Sequence, residues 1–166
     1  NIVEESLNEI FIFDAETMNF IQVNKGARQN IGYSLEEMKT MTPVDIKPNF
    51  EEKEFLKLVE PLKDGRVNEL SFETIHLRKE GSTYPVEVHL QYSRLGTQPV
   101  FVAFISDTSQ RKEYEHKILM HFDELEKKVI ERTEELRASE SKLRDSFEKE
   151  KQLGELKSRF VSMASH

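Results

Sequence analysis

The run Thr83-Tyr84-Pro85-Val86-Glu87-Val88-His89-Leu90-Gln91-Tyr92-Ser93-Arg94 settles the fold class. Tyr84, Val86, Val88, Leu90 and Tyr92 fall at every second position, with Glu87, His89 and Gln91 between them. A period of two belongs to a strand that buries one face and wets the other. Two neighbours complete a run of three strands. Glu69 to Lys79 leads into a turn at Lys79-Glu80-Gly81-Ser82, and Pro99 to Ser106 follows Gly96. The last strand is apolar on both faces, with Val100, Val102 and Phe104 against Phe101, Ala103 and Ile105. It is therefore expected at the centre of a sheet, with something covering its second face.

Upstream lie two shorter strands and several short helices. Asn8 to Asp14 and Met18 to Val23 flank a turn at Ala15-Glu16-Thr17. Asn24 is placed to cap a helix over residues 25–30, and Ser34 with Glu37 has the spacing of a capping box. Thr42-Pro43 puts proline at a first helical position. Asn49 with Glu52 predicts the start of a helix carrying Phe55, Leu58, Val59 and Leu62 on one face, ended at Asp64-Gly65. The order predicts an α+β domain over residues 1–110, a five-stranded antiparallel sheet with short helices packed on one face.

Composition narrows the function. There is no cysteine, which excludes disulfides, thiol chemistry and cysteine metal sites, and fits a cytoplasmic setting. No apolar run approaches the ~20 residues of a membrane span. The net charge is −7, and all of it lies before Arg111: residues 1–110 hold 11 Lys+Arg against 18 Asp+Glu, whereas residues 111–166 hold 13 of each. An acidic domain argues against nucleic acid and direct membrane contact.

Residues 111–166 contain no proline and one glycine, Gly154. Apolar residues recur at heptad spacing: Ile118, Phe122, Leu125, Val129, Leu136, Leu143, Leu153 and Phe160. With Phe122, Val129, Leu136 and Leu143 at a and Ile118 and Leu125 at d, the pattern predicts a parallel two-stranded coiled coil, hence a homodimer. Arg132, Ser139 and Ser146 at d and Glu150 at a make the middle of the seam poor, as suits a coil between two nearly equal packings. After Gly154, Leu156 and Met163 widen the stripe, which suits a helical bundle. The expected segments are thus a sensor domain over 1–110, a helical linker over 111–153 and the start of a bundle over 154–166.

The first segment resembles the PAS domain family. The likeness rests on Phe13-Asp14, Val23-Asn24, Gly32-Tyr33-Ser34-Leu35-Glu36-Glu37, Arg78-Lys79-Glu80-Gly81-Ser82, and Asp107-Thr108-Ser109-Gln110-Arg111-Lys112 at the exit. It implies a pocket between sheet and helices, for which Ile31, Met38, Phe55, Ile75, Val86, Val88 and Val102 are the candidates. No cofactor is assigned beyond an unidentified small ligand, and no metal. The flavin photochemistry of one subclass needs a cysteine, and the histidine that another uses for haem is missing from residues 49–62. His76 and His89 are read as packing or solvated histidines.

Glu131-Arg132-Thr133, followed by Leu136, resembles the motif of signaling helices that join PAS domains to outputs. Asp107 and Thr108 would relay the signal into that helix, Asp107 capping its first turn with Gln110 reaching back. Phe160-Val161-Ser162-Met163-Ala164-Ser165-His166 resembles the phosphoacceptor box of sensor histidine kinases, with His166 as the acceptor. That likeness implies three partners for a longer parent: ATP, a kinase catalytic domain and a response regulator. The chain alone, without an ATP-binding domain, is expected to be inactive. Two other readings stay open, a ligand-free PAS dimerization module and the input of a different output such as a nucleotide cyclase or chemoreceptor-like rod.

Overall fold

The computed structural model describes residues 2–165. The chain divides into two units, residues 1–113 and 114–166.

In the first unit, β1 (Glu9–Asp14) and β2 (Phe20–Val23) precede α1 (Lys25–Ile31) and α2 (Leu35–Met38). A 3₁₀ turn, Pro43–Ile46, then leads to α3 (Glu52–Lys63). Strands β3 (Leu70–Leu77), β4 (Thr83–Leu95) and β5 (Gln98–Asp107) follow. The sheet runs β2-β1-β5-β4-β3, antiparallel throughout. The doubly apolar β5 is its central strand, as its composition requires. Phe101, Ala103 and Ile105 face the main core, while Val100 joins Ile10 and Ile12 in a small cluster on the other face. Val3 packs on that second face, so the N-terminal segment supplies part of the expected cover.

Local chemistry explains the joints. Asp14 ends β1 by accepting at Oδ1 from the amides of Glu16 and Thr17, both at 2.7 Å. The Thr17 amide, with Gln98, holds this carboxyl below its ordinary range. Ser34 and Glu37 close a reciprocal capping box on α2. Gly32 ends α1 at φ 87°, a left-handed conformation that glycine adopts without penalty. α3 begins at Glu52 with Glu51 as its cap residue, two residues later than Asn49 predicts. The Glu51 amide donates to Glu54 Oε2, and Phe50 is taken by a turn back to the Lys47 carbonyl.

α4 (Ser109–Ala164) starts in the first unit and makes up most of the second. It passes through Gly154 without a break. Every described residue of the second unit is exposed, including the eight heptad positions, of which Leu125 is 58% and Phe160 75% accessible. An added Cβ at Gly154 meets nothing within 4 Å. Gly154→Ala is therefore expected to raise the local stability of α4 by about 1 kcal/mol, since glycine loses the most chain entropy in a helix. Amide hydrogen exchange around residue 154 checks this, and unchanged protection would contradict it.

Candidate functional site

The interior face of the sheet meets α1, α2 and α3 in one core. Ile31, Met38, Phe55, Val86 and Val88, five of the seven pocket candidates, are buried together there. The other two lie on the opposite face. Ile75 is paired with Pro85 and so alternates out of the core, while its neighbours Thr74 and His76 stand opposite Val86 and Tyr84. Val102 packs against the Ile10, Ile12 and Val100 cluster on the second face. Aromatic rings fill much of the main core: Phe13 lies 5.3 Å from Phe101, and Phe50 5.7 Å from Phe72, centroid to centroid.

The interior is not wholly apolar. His76 is fully buried at the end of β3, edge-on to Phe11 and to Tyr84. Its Nε2 has no hydrogen-bond partner, and neither has Thr74 Oγ1, two residues earlier on the same face. Lys47, after the 3₁₀ turn, is 4% exposed, with its Nζ 5.6 Å from the centroid of Phe55. Burial pushes the Lys47 ammonium down to about 7. Burial, then the Lys47 charge, drives His76 well below the usual imidazole range, so His76 is neutral. The buried Lys47 ammonium favours a ligand atom that accepts hydrogen bonds, whereas the unpartnered His76 Nε2 can meet an acceptor or a donor according to its tautomer.

A second polar group lies at the end of the sheet where α4 leaves. Glu9 begins β1 opposite Ile105 of β5 and points into the core, 6% exposed. Its carboxylate accepts from the Asn30 amide and, at 3.2 Å, from the Tyr84 hydroxyl. The same Asn30 nitrogen donates to Asp107 Oδ2 at 3.2 Å. Arg78 fixes Asn30 from the other side, donating to its Oδ1 and to its backbone oxygen, and lies 4.2 Å over the Tyr84 ring. Burial raises Glu9 to about 7 against the pull of Asn30 and Tyr84, and the nearby Asp107 charge adds to the rise. The Tyr84 hydroxyl is pushed up by burial and then by Glu9.

Asp107 turns the end of β5 into the start of α4. Its Oδ1 accepts from the Ser109 amide at 2.9 Å and from the Ser109 hydroxyl. Burial works to raise this carboxyl, but the Ser109 and Asn30 bonds outweigh it and leave it lowered. Ser109, not Gln110, is thus the residue that closes the turn. Thr108 is buried, and its amide donates to the Pro85 carbonyl on β4. Arg111 and Lys112 then reach the carboxylate of Glu73 at 3.2 and 3.6 Å, and Arg111 also reaches Glu87 at 3.6 Å. The first turn of α4 is so tied to three strands. A cleft of about 350 Å³ opens beside this joint, lined by residues that include Glu9, Asn30, Ile105 and Asp107.

Glu131, Arg132 and Thr133 are exposed on α4, and the Thr133 hydroxyl bonds back to the Val129 carbonyl at 2.7 Å. His166 lies outside the described residues. No group of metal-ligating side chains is found among the described residues, and none of their helices is long and apolar enough to cross a membrane.

Comparison with known proteins gives a consistent answer for the first unit. The family model for the PAS domain matches residues 8–110. A PAS domain from a two-component sensor histidine kinase superposes with a TM-score of 0.53 at 18% identity, covering 64% of this chain and 89% of that one. The PAS domain of an HTR-like protein from Haloarcula marismortui gives 0.57 at 25% identity, covering 64% and 85%. A domain of a sensory box sensor histidine kinase/response regulator from Geobacter sulfurreducens gives 0.56 at 19% identity, covering 64% and 88%. No curated protein matches.

Proposed function

The chain belongs to the PAS domain family, a signal-sensing fold, and from that premise we propose that it is the input and transmission region of a cytoplasmic two-component sensor histidine kinase. A small ligand between sheet and helices, or a partner, biases the PAS domain. Asp107 and Thr108 carry the bias into α4. Two copies of α4 pair in parallel and deliver it to His166, which accepts the γ-phosphoryl of ATP from a catalytic domain and passes it to a response regulator. The observation that best supports the reading is the joint at Asp107, one carboxylate bonded to the Asn30 amide in the domain and to the Ser109 amide of the output helix. A stimulus acts by its difference in affinity for two states, and a joint shared by both elements lets it reach the second.

The apolar heptad positions of α4 are the reason for the dimer. A lone exposed helix with this stripe would leave Phe122, Leu125 and Val129 in water, whereas pairing buries them. The absence of cysteine gives a clean test of orientation. Ser139→Cys, at a d position, is expected to form an intermolecular disulfide on mild oxidation, because parallel in-register helices bring equal d positions together. Glu134→Cys, on the outer face, is expected not to. Sedimentation as a monomer, or equal cross-linking of both variants, overturns the parallel dimer. The kinase reading itself is tested by supplying ATP and a histidine kinase catalytic domain. Acid-labile phosphate on His166, lost in His166→Gln, is expected, and transfer to neither or to both refutes the assignment.

A further inference from the structure

We propose that Glu9, Tyr84 and His76 form a proton wire that couples the donor or acceptor character of His76 Nε2, inside the domain, to the Asn30–Asp107 bond that holds the start of α4. This rests on the PAS interior being the place where a ligand acts, and it assigns that ligand an acceptor oxygen, as of a carboxylate or carbonyl.

Geometry sets the wire. The Tyr84 hydroxyl stands 3.2 Å from Glu9 Oε2 and 3.5 Å from His76 Nδ1. A hydroxyl donates once, so it serves one neighbour and accepts from the other. With Glu9 ionised, Tyr84 donates to Glu9 and accepts from Nδ1–H, which leaves Nε2 a bare acceptor. With Glu9 neutral, its O–H donates to Tyr84, Tyr84 donates to Nδ1, and the histidine proton sits on Nε2. The change takes up one proton. The Nδ1 proton passes to the Tyr84 oxygen, the hydroxyl proton passes to Glu9, and the added proton ends on Nε2. His76 stays neutral in both forms, because burial and Lys47 oppose its cation. Its tautomer is therefore the variable, and Nε2 is the atom with no partner.

The other end of the wire meets the cap. Asn30 shares one amide nitrogen between Glu9 and Asp107. When Glu9 becomes neutral it draws less on that nitrogen, and the bond to Asp107 strengthens. The charged groups facing Glu9 are Asp107 from β5 and Arg78 from the turn that follows β3, while Lys47 faces His76. An acceptor oxygen at Nε2 selects the Nε2–H tautomer, hence neutral Glu9 and the tighter hold on Asp107.

The wire is read on the ligand-free protein, so its failure is separable from that of ligand sensing. In ¹⁵N-histidine NMR, the Nδ1 and Nε2 shifts of His76 are expected to interchange with a midpoint near 7, and the Ser109 amide to move with the same midpoint. Glu9→Gln is expected to hold His76 as Nε2–H at every pH and to still Ser109. Tyr84→Phe keeps the ring and is expected to abolish the interchange. A His76 tautomer that ignores pH in the unaltered protein, or follows it equally in Tyr84→Phe, overturns the wire. A Ser109 amide that never moves, or moves also in Glu9→Gln, overturns its link to α4. Excess formate, as the smallest carboxylate probe, is expected to raise the midpoint, and no shift overturns the acceptor-oxygen assignment.

Discussion

Replacing Asn24 by alanine is expected to cost the first unit about 3 kcal/mol or more. Asn24 is fully buried, and its side chain serves three pieces of chain at once. Its Oδ1 accepts from the Ile10 amide at 2.9 Å and from the Ala27 amide at 3.2 Å. Its Nδ2 donates to the carbonyls of Val3 and Asn8 at 3.1 and 2.9 Å. The first of these continues β1, the second caps α1, and the last two fix the segment that covers the outer face of the sheet. Alanine leaves several partners without a bond, and each buried orphan costs about 1–3 kcal/mol. At roughly 4–8 °C per kcal/mol for a domain near 100 residues, Tm should fall by more than about 10 °C. Asn24→Ser keeps an acceptor for the helix cap alone. It is expected to recover only the cap's share, about 1 kcal/mol. A loss below about 1 kcal/mol for Asn24→Ala, by urea denaturation, would show that Asn24 does not hold these elements together.

Much of this was legible in the sequence because it is local. A two-residue period in Tyr84, Val86, Val88 and Leu90 tells which of them are inside without any knowledge of neighbours. Asn24, Ser34 and Thr42 announce their helices by spacing alone. What failed needed register. β5 is apolar on both faces, so composition cannot say whether Phe101 or Val102 faces the helices. Only pairing with β1 and β4 decides it, and Val102 falls outside. Ile75 falls outside the core for the same reason, since the parity of β3 is fixed by Tyr84 opposite His76.

The polar group at Glu9 is assembled from residues far apart in sequence: Glu9 meets Asn30 and Tyr84, and Asn30 meets Asp107 and Arg78. One local signal existed. Glu9, Phe11 and Phe13 share a parity in β1, which puts a carboxylate on the buried face. Lys47 carried no such sign, because nothing in Pro43 to Pro48 shows that the turn folds inward.

That buried carboxylate makes the stability of the domain fall as pH rises, and Glu9→Gln should remove the fall. Glu9 has a folded value of about 7 against an ordinary 4.5. Between these values the folded state binds the proton that the unfolded state has released. Stability therefore declines as pH climbs from about 4.5 to about 7, and above 7 the full penalty is present. A shift of that size corresponds to about 3 kcal/mol at 1.36 kcal/mol per pKa unit. Glutamine cannot ionise, yet it accepts from Asn30 and donates to Tyr84 as the neutral acid does. The variant is expected to match the unaltered protein near pH 4.5 and to exceed it by about 3 kcal/mol near pH 8. Near-UV circular dichroism, in which the aromatic rings of the core outnumber Tyr114, Phe122, Phe147 and Phe160 of α4, gives both values from urea titrations. Because Asp107 and Lys47 are common to the two proteins, their titrations largely cancel in the difference. A gap that stays constant with pH would mean that Glu9 releases its proton alike in the folded and unfolded states, and so is already ionised near neutral pH. The joint at α4 would then carry two fixed negative charges and have no variable proton to transmit.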